Sequence, residues 1–133
     1  MGKNQIIKDN QKTGVSGEMF VGAELSRRGW NVALTIKNAK GVDLLIEKDG
    51  KSEKVQVKST YGKTGTWSGI PLSNDADKFE GIYAFVNLNG VDQPVYYFIK
   101  SNKMKLYHRP NGKEIRFNEL NKISPNNFDI FEE

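Results

Sequence analysis

The segment 41–59 constrains this chain most, because it reads as a β-hairpin and as little else. Its centre is Asp49-Gly50, a pair suited to a type I′ turn, in which both central residues need positive φ. The flanks alternate. Val42, Leu44 and Ile46 fall on one face of the first strand, and Val55 and Val57 on one face of the second. A two-residue loop places Lys48 opposite Lys51, Leu44 opposite Val55 and Asp43 opposite Gln56. Opposed residues of an antiparallel pair share a face, with Cβ atoms about 4.5–5.5 Å apart. Asp43, Gln56 and Lys58 therefore gather on the side away from the apolar residues. A four-residue loop would pair Asp43 with Lys58 and keep the same facing, since a shift of two preserves the pleat.

Two accounts fit that polar cluster. One is a solvated sheet face, with Asp43 and Lys58 as an exposed cross-strand ion pair worth under about 1 kcal/mol. The other is a metal site. Aspartate supplies a hard oxygen ligand for Mg²⁺, glutamine a neutral carbonyl oxygen, and lysine can orient a nearby water.

The 133 residues suit one domain, with an apolar share of 37% and 27% charged residues. No apolar run reaches the ~18 residues of a membrane span, so no membrane partner is expected. The first residues lack the apolar core of a signal peptide. The absence of cysteine excludes disulfides, thiolate zinc sites and cysteine nucleophiles, and is compatible with a reducing cytoplasm. A net charge of +4 permits a polyanionic partner without demanding one.

In chain order, residues 1–15 are polar and aperiodic, and read as a flexible N-terminal arm. Ser16 is the expected N-cap of a helix over 17–28 that stops at Gly29, with Val21 and Leu25 on its apolar stripe. Glu18 suits the first turn of such a helix by its charge alone. A strand is expected over 30–36. Residues 61–72 read as a loop in which Lys63, Thr64 and Trp67, with Ser59 at the end of the preceding strand, are candidates for touching a nucleic-acid backbone and stacking a base. Trp67 equally suits packing over the sheet edge. A short helix over 73–80, an apolar strand over 81–88, an aromatic strand over 95–100 and a short helix over 101–107 follow. In the tail, Ile115, Phe117, Leu120 and Ile123 are the expected packing points, and His108, the single histidine, reads as a surface residue.

Gly17-Glu18 at the helix start, Gly29-Trp30 at its end, Gly41-Val42-Asp43 and Val55-Gln56-Val57-Lys58 occur in an order and spacing that resembles the PD-(D/E)XK nuclease superfamily, above all its small restriction-endonuclease-like and Holliday-junction-resolvase-like members. The resemblance covers roughly residues 15–60; the motif's proline is absent, and Gln56 stands where the family has Glu or Asp. It implies an α/β fold, a restriction-endonuclease-like core with a central mixed β-sheet of about five strands flanked by helices. It also implies a Mg²⁺-dependent (or Mn²⁺-dependent) endonuclease acting on DNA. Asp43 would be the principal metal ligand, joined by Gln56, the main-chain carbonyl of Val57 and Glu18, with Glu24 as Glu18's rival. Lys58 would position the attacking water. Small nucleases of this kind often form homodimers. Gln56 keeps a non-catalytic nucleic-acid-binding module open as an alternative, and the apolar stretch 95–99 a protein-interaction domain.

Overall fold

The computed structural model describes residues 10–35, 42–62, 70–71, 79–106, 114–115, 117–120 and 122–133. Its long helix, α1 (Asn10–Arg27), begins before the expected cap: residues 10–15 are helical rather than part of an arm, and Ser16 lies inside the helix. That end is exposed at Gln11, Lys12 and Val15, so it carries no apolar period for the sequence to display. A nucleated helix extends by one hydrogen bond per residue fixed, and needs no buried face to do so.

The other end is where the sequence put it. Gly29 has φ +98°, Trp30 N–H donates to Leu25 O at 3.1 Å and Gly29 N–H to Ser26 O at 3.0 Å. This is a Schellman cap, and its usual apolar contact is present, since Leu25 and Trp30 both belong to the main core.

The sheet order is β1-β2-β3-β5-β6, with β1 (Asn31–Leu34), β2 (Leu44–Lys48), β3 (Lys51–Thr60), β5 (Ile82–Asn87) and β6 (Val95–Lys100). Strands β4 (Ile70–Pro71) and β7 (Glu114–Ile115) pair separately. The five-stranded sheet is mixed: β3 runs antiparallel to β2 and parallel to β5, and the other pairs are antiparallel. Asp49 and Gly50 have φ of 51° and 82°, and the register places Lys48 opposite Lys51 and Leu44 opposite Val55, as the two-residue turn requires. The first strand is shorter than the 30–36 expected, and Leu34 on it is exposed. It lies at the sheet edge, where one face and one row of backbone groups meet solvent.

Two apolar layers enclose β5, whose six residues are all buried. On one face α1 supplies Val21 and Leu25 against Leu44, Ile46, Val55, Val57, Ile82, Ala84 and Val86. On the other, Tyr83, Phe85, Tyr97 and Ile99 pack with Met104, from the 3₁₀ turn Ser101–Leu106, and Leu120, from the single-turn α2 (Phe117–Leu120). The aromatic stretch of β6 thus belongs to the core, which removes it as a docking surface for a partner. Gly81 lets β5 start close to β3, because a Cβ there would stand 2.2 Å from the Lys54 carbonyl oxygen.

The tail corrects the sequence reading. Leu120 is buried and Ile123 partly so, but Phe128 and Phe131 do more. Phe131 meets Phe98 at 5.0 Å and Trp30 at 6.2 Å between ring centroids, both edge-on. Asn126 docks the tail on β6 by a reciprocal pair, Tyr96 N–H to Asn126 Oδ1 at 2.9 Å and Asn126 N–H to Tyr96 O at 2.8 Å. The helix expected over 73–80 and His108 fall outside the described residues, apart from Phe79 and Glu80, which are not helical. Among the described residues no helix is long and apolar enough to cross a membrane.

Phe131→Ala should therefore lower the free energy of unfolding by about 3–5 kcal/mol in urea titrations, as loss of a buried phenyl does. Val91→Ala, at a side chain 73% exposed, should stay within about 0.5 kcal/mol of wild type.

Candidate functional site

Asp43 stands one residue before β2, where the ladder with β3 has ended. Its backbone is fixed on both sides. Asp43 N–H donates to Val55 O at 2.9 Å, and its carbonyl accepts from Thr35 N–H at 3.0 Å. Its side chain then takes over as a ladder acceptor: Val57 N–H donates to Asp43 Oδ2 at 2.7 Å. That bond is short and charge-assisted. It holds the carboxylate over the backbone of β3 and leaves the second oxygen for other work. Thr35 reads in the sequence as one residue of an alternating strand, with no local signal of a place at this site. Only the fold brings it to the backbone of Val42 and Asp43, to which its hydroxyl donates.

Glu18 reaches the same place from α1. Its carboxyl is pushed above the usual range first by burial, then by the negative charge of Asp43 and by a side-chain hydrogen bond with Asp43. Ionising both carboxyls at once is therefore unfavourable. The rival Glu24 is engaged elsewhere, by Arg28 and by Arg27 at 3.5 Å. Glu18 and Asp43 thus form a half-buried acidic pair.

Gln56 is only 5% exposed, so a solvated sheet face does not account for it. Its Oε1 is buried and has no hydrogen-bond partner among the described residues. It lies opposite Tyr83, and Lys58 lies opposite Phe85, so both sit on the face of the second apolar layer. Lys58 is half-buried, and among the described residues no ion pair joins it to Asp43. Val57 turns its side chain into the main core while its N–H holds Asp43.

Ser59 is on the helix side of β3, with its Oγ buried and lacking a hydrogen-bond partner among the described residues. It belongs to the helix–strand contact. Lys63, Thr64 and Trp67 lie outside the described residues. Among the described residues no three acidic, histidine or cysteine side chains stand together. The acidic side chains brought together are therefore two, Glu18 and Asp43. Such a set fits Mg²⁺, which takes one or two carboxylates and keeps several waters. The orphaned Gln56 oxygen and the paired carboxyls are both groups that a cation would satisfy.

No family model matches the chain, and no curated protein does either. Among solved structures, the fold is similar to that of a bacterial homing endonuclease, I-Ssp6803I, with a TM-score of 0.59 and 20% sequence identity over 82% of this chain and 75% of that one.

Proposed function

We propose that this chain is a metal-dependent endonuclease that hydrolyses phosphodiester bonds in DNA, a PD-(D/E)XK-type enzyme in which glutamine replaces the second acidic residue. The observation that carries the reading is the Glu18–Asp43 carboxyl pair, joined from helix and sheet just before the start of β2 beside the Gln56-Val57-Lys58 run of β3. The fold likeness to a homing endonuclease supports it.

In this reading Asp43, Glu18, Gln56 Oε1 and the Val57 carbonyl would hold Mg²⁺ or Mn²⁺. When bound, the metal supplies a more acidic water and neutralises charge on the phosphoryl oxygens. The chain's own residues do the rest. The Val57 N–H fixes Asp43 in advance, so no reorganisation is needed when a substrate arrives. Lys58 orients the attacking water and faces the charge that builds on phosphorus. Two carboxylates balance a divalent charge, and Gln56 adds an oxygen without adding to it. Lys63, Thr64 and Trp67 are the proposed contacts to the DNA. Cutting both strands at one place would need two active sites, so a homodimer is the assembly proposed for the working enzyme.

One observation favours a second reading. With Gln56 buried and neutral, the site has one carboxylate fewer than the family's pattern, and the same fold could bind nucleic acid without cutting it. Salt-sensitive DNA binding with no cleavage under any divalent metal would select that alternative.

Asp43→Asn keeps an acceptor for the Val57 N–H and removes the charge, so its circular dichroism should match wild type. Its cleavage of plasmid DNA in Mg²⁺ or Mn²⁺ should fall by at least about 10²-fold, and that of Lys58→Ala comparably. Unchanged cleavage by folded Asp43→Asn would refute the enzyme. Gln56→Glu should tighten Mn²⁺ binding by about tenfold or more while lowering the Tm of the metal-free protein, because it buries a third carboxylate.

The pH dependence has a definite sign. Folding raises the pKa of Glu18, so its destabilising contribution is absent below the ordinary carboxylate range and grows as pH rises toward the folded value. In EDTA, Glu18→Gln should raise Tm at pH 7 and raise it less at pH 4. An equal shift at both pH values, measured by scanning calorimetry, would remove the carboxyl pair as its cause.

A further inference from the structure

We infer that Gly17 is the positioning residue of the acidic site: by letting α1 settle onto Ser59 of β3 it sets the reach of Glu18 to Asp43, and with it the affinity for a divalent cation. This rests on the cation-binding reading of the Glu18–Asp43 pair.

The described part of α1 contains Gly14, Gly17 and Gly22, each at a place where alanine would favour the helix by about 1 kcal/mol. They are not equivalent. A Cβ at Gly14 would meet nothing within 4 Å, and one at Gly22 would make an ordinary contact, 3.6 Å from Val32 Cγ1. At Gly17 it would fall 1.7 Å from Ser59 Oγ, 2.8 Å from Ser59 Cβ and 3.5 Å from Val57 Cγ1. The hydroxyl can rotate away. The Ser59 Cβ is fixed to the strand, so the helix must lift.

Both acidic residues hang from that contact. Glu18 follows Gly17 on α1, and Asp43 is gripped by the N–H of Val57, the other residue beneath Gly17. Nothing else described ties the Glu18 carboxyl to its place except Asp43 itself. Lifting the first turns of α1 by several tenths of an ångström therefore separates the carboxyls directly, while the main core further along, at Val21 and Leu25, stays seated. Ser59 Oγ has no hydrogen-bond partner among the described residues, so the strand side can be trimmed without breaking a bond.

The test is calorimetric titration of Mn²⁺ into the whole chain and into five variants, each checked by circular dichroism and for Tm. Gly17→Ala should bind Mn²⁺ about 10- to 100-fold more weakly, the range seen when a ligand's support is disturbed. Gly17→Ala/Ser59→Gly should recover most of that loss, because it empties the space the new Cβ needs. Gly14→Ala should bind like wild type. If Gly17→Ala does not fold, Ser59→Thr, which crowds the same contact by one methyl, takes its place and should weaken binding in the same direction. Recovery in the double variant at unchanged or lower Tm separates positioning from loss of stability. Wild-type affinity in folded Gly17→Ala, or no recovery in a folded double variant, overturns the inference. Equal Mn²⁺ binding by wild type and Asp43→Asn, or none by either, instead removes the parent reading and this one with it.

Discussion

Strand β3 is hydrogen-bonded on both sides, antiparallel to β2 and parallel to β5, and its register decides where the other elements lie. The turn at Asp49-Gly50 sets that register from one end. A slip of one residue would carry Gln56 and Lys58 under α1 and take Val55 and Val57 away from it, burying a charge where the fold now buries methyl groups. The pleat of β3 therefore does two jobs. Its apolar residues seat the helix, and its backbone, through the Val57 N–H, seats Asp43.

The acidic pair works against the fold that holds it. Two carboxyls brought together from different elements repel when both are ionised, and partial burial adds to the cost by excluding water. Groups arranged this way recur at functional sites, where a proton, a cation or a substrate relieves the conflict. The stability to tolerate it comes from elsewhere: the two apolar layers around β5 and the aromatic cluster of Trp30, Phe98, Phe128 and Phe131. That cluster is reinforced at its rim, where Arg28 lies 3.8 Å over the Phe128 ring and Lys51 Nζ donates to Phe131 O.

Parts of the chain whose structure follows from neighbours in sequence are legible in the sequence alone. The Asp49-Gly50 register, the Gly29 stop, the buried run of β5 and the aromatic β6 all depend on turn chemistry or on period. The misreadings share another cause. The start of α1 is solvent-facing, so its turns leave no apolar signature. Phe128 and Phe131 sit in a polar tail, and only its return across β6 makes them core residues. Gln56 alternates correctly with Val55 and Val57, but alternation does not say whether the second face is wet, and here it is covered.

The candidate site divides along the same line. The sequence by itself determined the hairpin, and with it the placing of Asp43 beside β3 and of Gln56 and Lys58 on one face of it, because either register that it allowed preserves the pleat. Glu18 was suggested only by resemblance to a known pattern. Tertiary structure alone decided that it meets Asp43, that the Gln56 oxygen is buried without a partner, and that Gly17 lies against Ser59. Those facts depend on how closely a helix approaches a strand some forty residues away along the chain. That distance is fixed by packed volumes, which no local pattern in the sequence encodes.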